Sequence, residues 1–170
     1  MTTIVVMGVA GCGKSTFGQA LAKTLAVPWI EGDDFHSLEA KAKMAAGTPL
    51  DDADRVGWLQ TLSALISENS SGCVIGCSAL KRSYRDVLRE AGDETAKVKF
   101  AYLRLTREEA QRRVSSRAGH FFSDTLVESQ FATLEDPGKE SNVIVLDATK
   151  ATAQLVEQTL TMLQPVPNQA

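Results

Sequence analysis

The strongest constraint on the fold is a glycine-rich loop that directly follows a short apolar segment near the N-terminus. Residues 3–7 (Thr-Ile-Val-Val-Met) are apolar and β-branched, as in a buried strand. Residues 8–15 match the pattern G-x-x-x-x-G-K-[ST], and residues 14–26 have helical apolar spacing. A strand, a loop and a helix in this order direct backbone N–H groups and a helix N-terminus at an anion. The segment therefore predicts a phosphate-binding loop.

Each polar group of this loop has a predicted role toward a nucleoside triphosphate. The Lys14 ammonium can bridge the β- and γ-phosphates, and the Ser15 hydroxyl is a candidate Mg²⁺ ligand. Thr16 is well placed for the α-phosphate. We therefore predict that ATP and Mg²⁺ bind here, and that the nucleotide contacts a run of consecutive residues: Gly8, Val9, Ala10, Gly11, Cys12, Gly13, Lys14, Ser15 and Thr16.

The rest of the chain alternates strand-length apolar segments with helices. Four more strands are predicted, at residues 27–31, 73–77, 98–103 and 143–147. Helices are predicted at 38–46, 55–68, 81–91, 106–117, 123–134 and 151–163. This order implies an α/β P-loop fold, with a parallel five-stranded sheet covered by helices on both faces. We predict one domain over residues 1–165, a small mobile lid over about 117–134 and a frayed tail at 166–170.

Composition narrows the class of protein. A net charge of −3 does not favour nucleic-acid binding, and the apolar runs are only strand-length, so we expect no membrane span. The cysteine count is odd, and Cys73 and Cys77 have the apolar surroundings of buried strand residues. These features favour a reducing, cytoplasmic location.

A phosphate loop is shared by GTPase switches, motor ATPases and small-molecule kinases. Residues 54–57 spell the D-x-x-G of the switches, but no apolar strand precedes them and the base-reading N/T-K-x-D pattern is absent. The chain is also short for a motor core. A kinase is therefore favoured.

Residues that follow the second and third predicted strands are candidates for the acceptor site. Asp33 can orient an acceptor hydroxyl and accept its proton, whereas alternation would turn Asp34 aside. Asp33 can also serve Mg²⁺ through a water molecule, because no acidic residue ends the third strand. A turn or helix cap is the alternative role for these aspartates. Lys81 and Arg85, four residues apart, could form an anion site on one helix face.

Two further arginines lie beside the predicted lid. Arg113 and Arg117 share a helix face, and Gly119 could act as a hinge that closes them over ATP. One guanidinium can stack on adenine and the other can neutralise the transferring phosphoryl group. The alternative is a basic helix end that complements the helix dipole.

Several segments together resemble the gluconokinase family, which is related to the shikimate and nucleoside-monophosphate kinases. The blocks C-S-A-L-K-x-x-Y-R-D and G-H-F-F are the most family-specific. The resemblance rests on stretches spread over most of the chain, at residues 7–15, 32–36, 43–55, 58–59, 77–86, 117–122 and 130–137.

The resemblance implies transfer of the ATP γ-phosphate to the 6-hydroxyl of D-gluconate by a homodimer. It assigns Asp33 to the acceptor hydroxyl, Arg113 and Arg117 to the nucleotide, and Thr149 to the edge of the adenine site. The residues it implies for the gluconate site are Asp33, His36, Arg55, Lys81, Arg85 and His120.

This chain departs from the family pattern at three positions. Ser37 and Gly57 stand where many members have proline, and Ala40 replaces an asparagine. These departures leave selectivity among aldonic acids open. A shikimate-type or other sugar-acid kinase remains an alternative, as does a nucleotide-binding regulator without an acceptor.

Overall fold

The computed structural model describes residues 2–92, 97–116 and 124–164. Within these ranges, five parallel strands form one sheet with the spatial order β2-β3-β1-β4-β5. The strands are β1 Thr2–Met7, β2 Trp29–Glu31, β3 Val74–Gly76, β4 Lys97–Arg104 and β5 Val143–Asp147. The predicted α/β fold class is confirmed.

The helices pack on both faces of this sheet. They are α1 Lys14–Leu25, α2 Leu38–Ala45, α3 Asp52–Glu68, α4 Arg82–Glu90, α5 Arg107–Ser115, α6 Asp124–Thr133 and α7 Thr152–Leu163, with a 3₁₀ turn at Gly32–Phe35. Side chains of β1 alternate between two cores. Ile4 and Val6 join the core under α1, α5 and α7, whereas Val5 and Met7 join the core under α3 and α4. Burial on both faces explains why β1 is a continuous apolar run.

Helix α3 begins three residues before its predicted start at residue 55. The Asp51 carboxylate accepts from the Asp54 N–H at 2.9 Å, and the Asp54 carboxylate accepts from the Asp51 N–H at 3.0 Å. This capping box fixes the N-terminus of α3. The Asp-x-x-Asp pattern was its sequence signal. Helix α5 has Thr106 as its N-cap residue, since Thr106 Oγ1 accepts from the Glu109 N–H at 3.3 Å.

Parallel register brings three strand ends to one edge of the sheet. Gly76 of β3 lies opposite both Val6 of β1 and Glu31 of β2. The glycine-rich loop after β1 and the 3₁₀ turn after β2 therefore lie on the same edge, where ligands bind in sheets of this kind.

Among the described residues, none of the helices is both long and apolar enough to cross a membrane.

Candidate active site

A cavity of about 290 Å³ opens at this edge of the sheet. The glycine-rich loop forms one wall, and the 3₁₀ turn with the start of α3 forms another. Helix α6 closes a third side. The residues that matter for chemistry on its walls are Lys14, Ser15, Asp33, His36, Arg55 and Gln130. Residues far apart in sequence thus converge on one cavity.

The glycine-rich loop wraps around its own lysine. Lys14 Nζ donates to the carbonyls of Gly8 at 3.1 Å and Val9 at 3.2 Å. Gly11 has a φ of 80°, and a Cβ there would lie 3.1 Å from the Val114 side chain, so the backbone geometry and the close packing both favour glycine. Six of the predicted nucleotide contacts line the cavity: Ala10, Gly11, Gly13, Lys14, Ser15 and Thr16. The other three, Gly8, Val9 and Cys12, do not, and the side chains of the last two are buried beneath the loop.

Glu31 is a candidate residue that sequence reasoning missed. Its carboxylate accepts from the Ser15 hydroxyl at 2.6 Å. The two oxygens thus form a small acidic site beside the phosphate loop, and Mg²⁺ prefers such oxygen ligands. From the sequence, Asp33 was predicted to serve Mg²⁺ through a water molecule. The signal was present, because Glu31 ends β2, but its proximity to Ser15 depends on the strand order.

The two adjacent aspartates of the 3₁₀ turn face different surroundings. Asp33 lines the cavity, and its side chain is 60% exposed. Asp34 is exposed outside the cavity wall, and its carbonyl accepts from Lys41 Nζ at 2.7 Å. Of the pair, only Asp33 is thus placed to meet a ligand in the cavity.

His36 and Trp58 form a stacked pair that supports the turn carrying Asp33. Their ring centroids are 4.1 Å apart at an interplanar angle of 19°, and Trp58 Nε1 donates to the Gly32 carbonyl at 2.7 Å. His36 Nε2 lies 3.7 Å from Asp33 Oδ1. Burial lowers the pKa of His36, which favours the neutral imidazole. Within the described ranges, its buried Nδ1 atom has no hydrogen-bond partner.

Arg55 and Lys81, two of the basic residues predicted for the substrate, have different partners. Arg55 lines the cavity and donates to the backbone carbonyls of Leu50 and Asp51. In the described part of the chain, no carboxylate pairs with Arg55. Lys81 instead pairs with Asp52 at 2.8 Å and does not line the cavity. That hydrogen bond from Lys81 is the main cause that lowers the pKa of Asp52.

The anion site expected from Lys81 and Arg85 together is not formed. The Arg85 side chain is 1% exposed, and its Nη2 lies 2.6 Å from Glu140 Oε1. Its Nη1 donates to the carbonyls of Ala79 at 2.8 Å and Leu80 at 3.1 Å. Lys81 is the N-cap residue of α4 with extended backbone angles, so the helical i,i+4 geometry does not apply to the pair. Arg85 therefore braces the loop after β3 and is absent from the cavity wall.

Arg113 contacts the loop after β5, which carries Thr149. Arg113 Nη2 donates to the Ala148 carbonyl at 3.0 Å, and its Nε donates to Glu109 Oε1 at 2.6 Å. Thr149 Oγ1 donates to Asp147 at 2.7 Å. Hydrogen bonds from Arg112 and then Arg113 lower the pKa of Glu109 to about 2. Neither Arg113 nor Thr149 lines the described cavity.

The remaining predicted site residues, Arg117 and His120, lie outside the described residues, as does the proposed hinge Gly119. The predicted lid is described only for its α6 portion. This helix contributes a polar wall, where Ala10 N donates to Gln130 Oε1 at 2.6 Å. The sequence marked Gln130 only as the first residue of the family-like stretch 130–137 and gave it no role, because only the packing of α6 brings it to the loop.

Comparisons with known proteins agree over nearly the whole chain. A family model described as "Shikimate kinase" matches residues 10–164. A probable gluconokinase of Schizosaccharomyces pombe is 40% identical, over 97% of this chain and 89% of that protein. The thermosensitive gluconokinase of Escherichia coli K12 is 37% identical, over 92% of this chain and 84% of that protein. A crystal structure of a gluconokinase from Sinorhizobium meliloti 1021 matches with a TM-score of 0.87 and 39% identity, covering 94% of this chain and 90% of that one.

Proposed function

The chain belongs to the shikimate kinase family and, within it, to the gluconokinases, and from this premise we propose that it phosphorylates D-gluconate with ATP. The product would be 6-phospho-D-gluconate. The observation that carries the proposal is the convergence of the phosphate loop, Asp33 and Arg55 on one cavity. A phosphate donor site, a proton acceptor and an unpaired cation are what a kinase of a sugar acid requires.

The loop and Lys14 would hold the phosphates of ATP. An ammonium has three N–H donors, and the two backbone carbonyls that Lys14 contacts leave one of them for a phosphate oxygen. Ser15 and Glu31 fit Mg²⁺, since both present oxygen atoms at the mouth of the loop. When bound, Mg²⁺ would neutralise charge on the β- and γ-phosphates.

Asp33 would accept the proton of the acceptor hydroxyl. As the oxygen–phosphorus bond to gluconate forms, the bond from the γ-phosphorus to the oxygen of ADP breaks, and the hydroxyl proton passes to the Asp33 carboxylate. The exposed Asp33 carboxylate is available for this contact, and His36 and Trp58 hold its turn.

Arg55 would bind the C1 carboxylate of gluconate. Among the three basic residues implied for the substrate, Lys81 and Arg85 already have carboxylate partners. Arg55 faces the cavity, and its partners are two backbone carbonyls and the Tyr84 ring. A guanidinium binds a planar carboxylate through two parallel hydrogen bonds. His36 Nδ1 would meet a sugar hydroxyl, and the contact of Arg113 with the β5–α7 loop suits the edge of an adenine site. Arg117 and His120 remain predicted members of the site.

Acceptor-dependent ADP release tests the proposal. We expect turnover with D-gluconate and little with shikimate or without an acceptor.

Lys14→Ala should remove most turnover by loss of electrostatic stabilisation. Asp33→Asn should lower kcat by about 10²-fold or more while leaving ATP affinity nearly unchanged. Faster turnover of shikimate would support the shikimate-type alternative, and nucleotide binding without turnover of any acid would support the regulator.

We further propose that the protein is a homodimer and that it lies in the cytoplasm. The mass from light scattering should be twice the chain mass of 18.3 kDa. A mass of 18.3 kDa at micromolar concentration would argue for a monomer.

A further inference from the structure

Helix α6 places a carboxamide on the phosphate loop itself. Gln130 is half-buried on the cavity wall, and its Oε1 atom accepts from the Ala10 N–H at 2.6 Å. Ala10 is the third residue of the glycine-rich loop, beside the carbonyls that hold Lys14. This side chain therefore lies next to the phosphate-binding groups, although α6 is far from them in sequence.

The bond to Ala10 fixes which end of the carboxamide is free. A backbone N–H can only donate, so the oxygen of Gln130 must face Ala10 and the NH₂ group must be the other end. Over the ranges that the structure covers, no protein group accepts a hydrogen bond from Gln130 Nε2. Gln130 thus retains two neutral N–H donors at the wall that it shares with Lys14 and Asp33.

Helix α6 does not depend on Gln130 for its position. Glu128 pairs with Arg107 at 2.8 Å and accepts from Gln111 Nε2 at 3.2 Å. Val127 is fully buried in the core, and the chain just after α6 is held where the Glu135 N–H donates to the Leu80 carbonyl at 2.9 Å. Because these contacts already fix α6, the helix does not need the Ala10 bond for its position, and a purely structural role does not explain the free NH₂ group of Gln130.

We propose that Gln130 is a further catalytic residue, whose Nε2 amide donates a hydrogen bond to the phosphoryl group during its transfer. This inference rests on the proposed kinase function. Negative charge is spread over the equatorial oxygens of the phosphoryl group in the transition state, and a donor held in place beforehand stabilises that charge. Gln130 exchanges no proton, because the hydroxyl proton goes to Asp33. The Ala10 bond acts as the support that holds the donor in place.

The variant Gln130→Glu tests whether Gln130 only supports the loop. It keeps the shape and the acceptor for Ala10, but it replaces the N–H donors with negative charge beside the phosphates. We expect kcat to fall by about 10²-fold or more, with the melting temperature unchanged. Gln130→Met, which has neither donor nor charge, should lose less activity than Gln130→Glu.

The chain offers a matched control in Gln154→Glu. Gln154 Oε1 also accepts from a backbone N–H, that of Ala151 at 3.3 Å, but it lies at the start of α7 and away from the cavity. Its kcat should equal that of the wild type, which would show that a Gln→Glu change away from the cavity does not lower kcat.

A Gln130→Glu variant with wild-type kcat would overturn the inference. A carboxylate can accept from the Ala10 N–H as the carboxamide does, so kcat would then not depend on the N–H donors of Gln130. Wild-type turnover of gluconate tests the proposed function separately. If another sugar acid proves to be the acceptor, the same three variants are compared on that acid. A wild type that turns over no acceptor would overturn both.

Discussion

Arg55 and Arg85 carry the same charge and lie near the same edge of the sheet, yet their surroundings give them different tasks. Arg85 is enclosed by Glu140 and three backbone carbonyls, whereas Arg55 faces the cavity without a carboxylate partner in the described ranges. A buried guanidinium with all its donors satisfied stabilises the fold, and an accessible unpaired one is free to bind an anion.

Arg85→Met should lower the free energy of unfolding by about 3 kcal/mol, because it leaves the largely buried Glu140 carboxylate with Arg89 alone. Urea denaturation measures this loss. Arg82→Met is the control on the same helix, since Arg82 is exposed, and its effect should stay within about 0.5 kcal/mol. An Arg85→Met protein of normal stability with a raised KM for gluconate would return Arg85 to the substrate site.

Arg55→Met should act on the substrate and leave the fold nearly unchanged. Loss of a charged hydrogen-bonding partner is expected to raise the KM for gluconate by about 10- to 100-fold, with the KM for ATP unaffected. Steady-state kinetics with each substrate varied in turn give both constants. Equal increases in the two values would indicate a general distortion of the cavity.

His36 should give the protein an acid-sensitive step. Burial lowers its pKa below the ordinary 6.5, Arg55 and Lys41 lower it further, and Asp33 opposes them. The unfolded chain therefore binds this proton more readily than the folded chain. The stabilising contribution is complete above about pH 6.5 and falls as the pH drops through the folded pKa.

Unfolding of the wild type and His36→Phe, which retains the stack on Trp58, should be compared between about pH 7.5 and about pH 5. The wild type should lose more stability over this interval. If the free energy of unfolding falls by the same amount in both proteins over this pH interval, His36 does not titrate in this way.

At the scale of elements, the 3₁₀ turn depends on close contact between β2 and β3. A Cβ added to Gly32 would lie 1.9 Å from the Gly76 carbonyl oxygen, so the turn that carries Asp33 must move. Gly32→Ala should therefore reduce kcat and lower the free energy of unfolding by about 1–3 kcal/mol. Thermal unfolding and ADP release measure the two effects.

Gly57→Ala makes the same chemical change where space is free. Gly57 lies within α3, and a Cβ there would meet no atom within 4 Å. Because alanine has the higher helix propensity, we expect a gain of about 0.5–1 kcal/mol with kcat unchanged. A loss of stability in Gly57→Ala would show that the exposed face of α3 has a partner, such as a second subunit.

At the scale of the whole molecule, the features that could be predicted are those that a single segment of sequence determines. The apolar run before Gly8, the glycine-rich loop and the alternation of strands and helices are local patterns, and they led to the sheet and its binding edge. The register of Glu31 against Gly76 is not local, so the contact between Glu31 and Ser15 could not be foreseen.

Two further parts of the site depended on packing that the sequence does not encode locally. Gln130 reaches Ala10 only because α6 lies across the cavity. Arg85 was predicted for the substrate because it follows a strand end, but the distant Glu140 determines its direction. The family resemblance indicated the substrate. It could not distinguish a basic residue that lines the cavity from one that stabilises a loop.

The central claim is that the phosphate loop delivers a phosphoryl group to a sugar-acid alcohol held against Asp33. The most direct test is ³¹P and ¹³C NMR of a reaction that contains the protein, ATP, Mg²⁺ and D-gluconate. We expect ADP together with a phosphate ester on C6 of gluconate. Free inorganic phosphate as the only phosphorus product besides ADP, or unchanged gluconate, would contradict the claim.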